Sequence, residues 1–535
     1  MSKFMHGSSL LQANSTIPGV TIPKELKELI PTIFKECTKF GLDFYPSVVQ
    51  MCSYDEISEI AAYGGFPVRW PHYKWGMEYE SLQRGYEFGH HRIYEMVINN
   101  NPSYIYCLNS NTLLDNVTVI AHALGHSHFF KNNIFFSHTD TNAVNNMANN
   151  AVRIRKYISR YGKEKVTEFI DHVLRIETLI DYSKAWSKKE ISDIQIVDKK
   201  NYRHPNKLPV DHNKNYMDSF INNPEYMKKQ HEEIIRLEDE EEAGIVEMNE
   251  KDIFGYIKDN VSMKPWQQDI LSILYSEAMY FAPQAQTKMC NEGFASWTDL
   301  NIIAKLGLCS LGQEHDSSGI VEYSYHKMGV LGGKYSMNPY KIGYTLLSDI
   351  EDRWNKGMFG DEWENCTDMR QKENWDLKLG LGKEKVFEVC KYNNDASLIN
   401  EFFTQEFCDR HQFFEWEKNE GGEIVLKSRD AKAIKKKLMR RYLNRGLPDI
   451  RLVDPNFRNR GQMLLQHIFD GRTLYIPYVK EVLSSLCWLI KAPVVLESKN
   501  ENDEEIVYYC GEPASPDYVT IMTKSNYVQK WSQWG

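Results

Sequence analysis

Residues 119–133 read VIAHALGHSHFFKNN, an apolar run that carries three histidines, His122, His126 and His128. His122 and His126 are four residues apart, and on an α-helix this spacing puts both imidazoles on one face, one turn apart. A helix offers two nitrogen ligands to one metal ion by this spacing. We therefore predict a helix here, with His122 and His126 as ligands of a divalent metal ion.

A second run, NEGFASWTD at residues 291–299, supplies the candidate for a third ligand, Glu292. A glutamate on a second helix commonly completes such a histidine pair, and this Asn-Glu-Gly run resembles the third-ligand helix of zincin metallopeptidases. On a helix, Glu292 and Asp299 lie on the same face, two turns apart. Zinc is the expected ion because imidazole and carboxylate suit it, with iron and manganese as alternatives. The competing interpretation is a buried helix whose histidines are satisfied by neighbouring polar groups.

The general base of the zinc-peptidase signature is missing from this motif. That signature places a glutamate directly after the first histidine, and Ala123 occupies the position here. An enzyme built on this site therefore needs its proton acceptor from elsewhere, and we assign Glu95 and Asp299 as the candidate catalytic residues. We expect no ordinary endopeptidase activity by the usual zincin route.

The composition limits the classes of protein to which this chain can belong. The chain has 535 residues, of which 42% are hydrophobic and 13% aromatic, so it can bury a large core. The net charge of −9 is modest for this length and argues against a broad nucleic-acid-binding surface. The ten cysteines are scattered without a Cys-x-x-Cys pair, and no run is long and apolar enough to span a membrane. We expect a cytoplasmic protein with reduced thiols.

Hydrophobic periodicity predicts a mainly α fold with a small C-terminal α+β module. We expect a flexible tail at 1–22, a helical body at 23–430, an α+β module at 431–520 and a second tail at 521–535. Residues 187–250 are charged and poor in large apolar side chains, so we predict a partly mobile excursion there. Within the body we predict helices over 47–63, 85–101 and 366–418, and one strand at Ser103–Leu108.

Several motifs recur in an order that resembles a known family. They are GLDFYP, YEMVINNNP, the His-x-x-x-His helix followed by FFKNN, NEGFAS, NPYKIGYTLLSDIEDRW and NFRNRGQMLLQHIFDGRTL. Together they resemble the stage V sporulation protein R (SpoVR) family over roughly residues 38–500. The resemblance places the family's motif residues at Glu95, His122, Gly125, His126, Glu292, Gly293, Asn338, Pro339 and Tyr340.

Two further positions follow from the same resemblance. His326 falls where the family tends to carry a histidine, and we include it as a candidate metal ligand. The family pattern has a histidine where Asp299 sits, so this chain has a carboxylate in place of an imidazole there. Such an exchange keeps a metal ligand or proton acceptor but alters its charge.

The resemblance implies a role in spore cortex or cell-envelope formation or in a stress response, with a serine protein kinase system as a possible partner. Two functions fit these expectations. The first is a metal-dependent hydrolase or amidase that acts on a peptide-like or cell-wall-precursor substrate. The second is a non-catalytic regulatory or scaffold protein with a structural histidine–glutamate cluster. No nucleic-acid partner is expected, and the sequence leaves the oligomeric state open.

Overall fold

A computed structural model describes residues 21–87, 95–184, 249–306, 338–419, 421–457, 461–512 and 516–527. Contacts divide the chain into two units, one of Met1–Asp171 with Met263–Leu447 and one of His172–Ser262 with Pro448–Gly535. Nearly all of the predicted 1–22 tail, nearly all of the 187–250 excursion, and His326 lie outside the described residues.

Helices predominate among the described elements. Up to Arg175 the helices and strands are α1 (Lys24–Lys39), β1 (Ser47–Cys52), α2 (Tyr54–Ala62), α3 (Tyr73–Glu87), β2 (Glu95–Val97), β3 (Ser103–Leu108), α4 (Leu113–Asn132), α5 (Ala143–Tyr161) and α6 (Lys163–Arg175). Up to His411 there follow α7 (Ile253–Asn260), α8 (Pro265–Gln286), α9 (Lys288–Leu306), α10 (Pro339–Lys356), α11 (Asp361–Glu364), α12 (Met369–Glu373), α13 (Gly382–Tyr392), α14 (Asp395–Phe402) and α15 (Gln405–His411). The remainder are β4 (Glu415–Lys418), β5 (Ile424–Ser428), α16 (Ala431–Tyr442), β6 (Ile450–Phe457), β7 (Gln462–His467), α17 (Ile476–Ile490), β8 (Val494–Lys499), β9 (Glu505–Cys510) and β10 (Val519–Thr523). The prediction of a mainly α chain with a C-terminal α+β part is confirmed.

The first unit is built around α4, the histidine helix. Thr112 and Asp115 form a capping box that starts it, each side chain bonding the other's backbone N–H. Every residue from 116 to 130 is buried. A helix that is buried around its whole circumference must be covered on all sides, and α1, α9 and the strands β2 and β3 pack against this one.

Glycines set the spacing between the helices next to α4. A Cβ on Gly125 would lie 3.1 Å from the Cα of Ala295, where α4 meets α9. A Cβ on Gly293 would lie 2.4 Å from the carbonyl carbon of Gly343, where α9 meets α10. No real Cβ tolerates the second approach, so α9 and α10 pack at this distance only because both residues are glycine. The expected close packing at Gly293 is therefore present, with α10 as the partner.

Two of the predicted helices of the body were wrong in part. Residues 47–63 form the strand β1 before α2, because Val49 and Met51 are buried in alternation and β1 pairs in parallel with β3. Within 85–101, α3 ends at Glu87 and residues 95–97 form a strand antiparallel to β3. The sheet order is β1-β3-β2, and the strand predicted at Ser103–Leu108 is its central member.

The prediction of helix across 366–418 also needs a correction. The segment contains α12 to α15, but it ends in the strand β4, which forms a hairpin with β5. Gly422 adopts a φ of +80° in the turn of this hairpin, a conformation that glycine adopts without steric cost. The strand was not predicted because aromatic residues such as Phe414 and Trp416 suit either structure.

The second unit contains a five-stranded sheet in the order β10-β9-β8-β7-β6. Strands β7 and β8 are parallel and are connected through α17, whereas the other neighbours are antiparallel. Leu464, Val495 and Val507 form a buried cluster with Tyr527 in this unit. In the described parts of both units, no helix is long and apolar enough to cross a lipid bilayer.

Candidate metal centre

Two helices of the first unit bring three predicted ligands together. His122 and His126 project from α4, and Glu292 projects from α9. Each offers one donor atom, and the three atoms lie within 4.8 Å of one another. The Oε2 atom of Glu292 is 3.5 Å from Nε2 of His122 and 3.3 Å from Nε2 of His126. All three side chains are buried.

These separations match the requirement of a tetrahedral ion. Donors at about 2.0–2.1 Å from one zinc ion lie about 3.3–3.4 Å apart when the geometry is tetrahedral. Both distances from Glu292 Oε2, 3.5 and 3.3 Å, fall close to that value. The carboxylate oxygen of Glu292 is therefore spaced from each imidazole nitrogen as two ligands of one zinc ion would be.

A hydrogen bond behind each imidazole selects its tautomer. Nδ1 of His122 donates to Oδ2 of Asp299 at 2.8 Å, and Nδ1 of His126 donates to Oδ1 of Asn291 at 2.8 Å. In a neutral ring with its proton on Nδ1, Nε2 carries a lone pair and can bind a metal. Both Nε2 atoms are the ones that face Glu292, so the rings present their ligand atoms to a common point.

Glu292 is held as a carboxylate and has one oxygen left for a cation. Burial raises the pKa of Glu292, but the imidazoles of His126 and His122, when they carry a proton on Nε2, and the ammonium of Lys288 lower it more, and it lies well below its usual range. The Oε1 atom accepts a hydrogen bond from Nζ of Lys288 at 2.9 Å. The buried Oε2 atom accepts no hydrogen bond from the described residues. A cation between Oε2 and the imidazoles would satisfy it.

Comparison with known proteins gives the family. A family model described as SpoVR like protein matches residues 21–447. The chain belongs to the SpoVR-like protein family. It is 26% identical over 497 residues to the uncharacterized protein YcgB of Escherichia coli (strain K12). The aligned region covers 86% of this chain and 89% of YcgB. No solved structure matches the chain, so the predicted likeness to zincin metallopeptidases stays a prediction.

The SpoVR-like match ends at residue 447, where one of the boundaries between the two units also lies. The candidate metal centre falls inside the matched region. The predicted family positions His122, Gly125, His126 and Glu292 meet there, with Gly293 at the adjoining helix contact.

The structure places the two candidate catalytic residues differently from each other. Asp299 lies on the Nδ1 side of His122, behind the ligand and not beside the donor atoms. Glu95 begins β2, and its backbone is in register with Cys107 of β3. This strand packs against α4, so Glu95 belongs to the layer next to the histidine helix. The catalytic roles of both residues remain predictions.

His128 is not part of the centre. Its ring is buried between Phe294 and Phe387, and its Nδ1 accepts the backbone N–H of Asp43 at 2.8 Å. Burial lowers the pKa of His128 to about 4, so the ring is neutral at physiological pH. His128 therefore ties α4 to the loop after α1 and does not face solvent.

Sequence reasoning missed three residues that support the centre. Asn291 and Lys288 are close to Glu292 in sequence, at one and four residues before it, and the i,i+4 spacing of Lys288 was a usable signal. Asp395 gave no such signal. Its carboxylate accepts the backbone N–H groups of Met289 and Cys290, at 2.9 and 2.8 Å, and so caps the start of α9 from more than a hundred residues away.

Proposed function

We propose that this SpoVR-like protein is a metal-dependent amide hydrolase whose ion, zinc in preference to iron or manganese, is held by His122, His126 and Glu292. One observation carries the proposal. The carboxylate oxygen of Glu292 lies 3.5 and 3.3 Å from the two imidazole nitrogens, close to the separation of two ligands in tetrahedral coordination. When bound, a divalent ion supplies Lewis-acid chemistry, polarising a carbonyl and making water more acidic.

The chain's own residues would orient the ligands and exclude solvent. Asp299 and Asn291 hold the two imidazoles by their Nδ1 protons. Phe130 stacks on the ring of His126, with centroids 6.1 Å apart. A dry, apolar surround strengthens the interaction between charges. Ala123 is buried and carries no titratable group, so the proton acceptor in this proposal is Glu95, with His326 as the fourth ligand or a proton carrier.

The reaction that fits the centre is hydrolysis of an amide in a peptide-like or cell-wall-precursor substrate. Water adds to the carbonyl carbon, the C–N bond breaks, and the amine departs with one proton while the acyl part is released as a carboxylic acid. The process in which we expect this activity is spore cortex or cell-envelope formation, or a stress response, in the cytoplasm.

The burial of the centre favours a second function. The three donor side chains are buried, and a buried polar cluster with little access to a substrate suits a structural role. In this alternative the protein is a non-catalytic regulator or scaffold that works with a serine protein kinase system. The histidine–glutamate cluster would then tie α4 to α9 as a structural element, with or without an ion, and would not act on a substrate.

Amine release separates the two functions. Protein loaded with zinc is incubated with peptides derived from cell-wall precursors, and new primary amines are measured before and after removal of the ion with a chelator. The hydrolase proposal predicts release that chelation abolishes, that added zinc restores, and that Glu292→Gln lacks. A chain that binds one ion, loses thermal stability on chelation and releases no amine would instead support the regulator. A chain that binds no ion contradicts the hydrolase.

A further inference from the structure

Ser296 of α9 carries a buried hydroxyl that has no hydrogen-bond partner among the described residues. The residue is 3% exposed, and its Oγ neither donates nor accepts a hydrogen bond there. Serine and threonine in helices often bond the backbone carbonyl four residues earlier, as Thr118 in α4 and Ser272 in α8 do. Ser296 does not bond the carbonyl of Glu292 in this way. A buried polar group without a protein partner indicates a bound water, ion or ligand.

The turn of the helix places Ser296 on the face of α9 that carries the candidate centre. It follows Glu292 by four residues and precedes Asp299 by three, so it lies within about 60° of both around the helix axis. Both carboxylates contact His122 of α4. Glu292 Oε2 lies 3.5 Å from its Nε2, and Asp299 Oδ2 lies 2.8 Å from its Nδ1. Ser296 therefore belongs to the face by which α9 contacts the imidazole.

The two carboxylates also bracket Ser296 along the helix. Seven residues, about 10 Å along the axis, separate Glu292 from Asp299. Since both nonetheless reach the His122 ring, this ring lies beside the turn of α9 between them. Ala295 of that turn packs against Gly125 of α4. Ser296 supplies a hydroxyl in the same turn, next to Glu292.

A hydroxyl in this turn offers a hydrogen-bond donor that the two imidazoles do not. His122 and His126 donate from Nδ1 to Asp299 and Asn291, so in this tautomer their Nε2 atoms carry no proton. When water adds to an amide, the carbonyl oxygen gains negative charge, and a donor already in place stabilises that charge. The Ser296 hydroxyl can supply such a donor.

We propose that Ser296 binds the carbonyl oxygen of the amide substrate and donates a hydrogen bond to it as negative charge develops. This inference rests on the proposed function, because it needs a substrate carbonyl at the centre. It goes further by assigning a donor for that oxygen. The competing role is structural, with the hydroxyl bonded to a buried water between helices.

Cobalt provides a test that does not depend on turnover. The full chain is loaded with Co²⁺, and its visible absorption is titrated with acetohydroxamate, which has a carbonyl oxygen and binds divalent metal ions. For Ser296→Ala we expect the dissociation constant of acetohydroxamate to rise about tenfold, as for the loss of one hydrogen bond to a charged group. The affinity for Co²⁺ should stay unchanged. Ser296→Thr keeps a hydroxyl and should retain most of the acetohydroxamate affinity.

Thr298→Val is the matched control. It removes a second buried hydroxyl of α9 that has no partner among the described residues, and it keeps the shape of the side chain. Thr298 is two residues after Ser296, about 200° around the helix, and packs against Gly125. We expect Thr298→Val to bind acetohydroxamate as tightly as the native chain.

The outcomes separate this role from a structural one and from failure of the proposed hydrolase. Equal acetohydroxamate affinity in the native chain and Ser296→Ala overturns the role of Ser296 and leaves the hydrolase standing. Equal losses in Ser296→Ala and Thr298→Val also overturn it, because they would come from loosened packing of α9. A loss of Co²⁺ affinity in Ser296→Ala assigns the hydroxyl to the structure of the centre instead. Failure of the native chain to bind Co²⁺ overturns both this inference and the hydrolase.

Discussion

The two imidazoles of the candidate centre differ in the groups that stand behind them. His122 donates to the carboxylate of Asp299, whereas His126 donates to the neutral amide of Asn291. A carboxylate acceptor makes the imidazole a more basic ligand than an amide acceptor does. We therefore interpret His122 as the stronger of the two ligands and Asp299 as its positioning residue.

This interpretation predicts that Asp299→Asn weakens metal binding by about 10–100-fold while the ligands themselves remain. Competition with a chelating dye would measure the change. Asp349→Asn is the matched control, because Asp349 is also buried but is bound by Arg410 and His411, away from the centre. An unchanged affinity in Asp299→Asn, or an equal loss in the control, would speak against the role.

His128 gives a second prediction at this scale, on stability against pH. Burial lowers its pKa from 6.5 to about 4, so between these values the unfolded chain binds more protons than the folded one. The contribution of His128 to the free energy of unfolding is complete above about pH 6.5. As the pH falls to about 4, the protein loses up to about 3 kcal/mol of this free energy. Denaturant unfolding of the native chain and His128→Asn should show a steeper acid loss in the native chain. If the free energy of unfolding fell with pH in the same way in both chains, this prediction would be refuted.

At the scale of secondary-structure elements, the sequence predicted the central helices better than the short strands. The sequence predicted α4 and α9 well, because each carries a long apolar pattern with clear ends. It failed for β1 and β2, whose short segments become strands only by pairing with β3. Pairing partners that are distant in sequence leave no local pattern, and the same reason hid Asp395 as the cap of α9.

Gly293→Ala tests the packing of α9 on α10. The new Cβ would meet the backbone of Gly343 at 2.4 Å, so the helices must separate, and we expect a loss of about 1–3 kcal/mol or more of unfolding free energy. Gly76→Ala in α3 is the control, since nothing lies within 4 Å of its Cβ, and it should gain about 0.5–1 kcal/mol. Urea denaturation measures both. Equal behaviour of the two variants would show that the contact is not as close as described.

At the scale of the whole molecule, the proposed ion ties together elements of the first unit only. His122 and His126 belong to α4, and Glu292 to α9, while the five-stranded sheet lies in the second unit. A ligand that binds only the folded state stabilises the part of the structure that it contacts. Amide hydrogen exchange should therefore slow in α4 and α9 when zinc is added and stay constant in β6 to β10. Uniform protection, or protection of the sheet alone, would place the ion elsewhere.

Metal content of the purified chain tests the central claim most directly. Mass spectrometry of the native chain, His126→Ala and the exposed-histidine control His138→Ala would count the ions bound, with circular dichroism to verify folding. The account predicts about one divalent ion per chain in the native protein and the control, and a loss of most of it in His126→Ala, since two ligands hold an ion far less well than three. Equal metal content in all three chains, or no metal in the native chain, would contradict it.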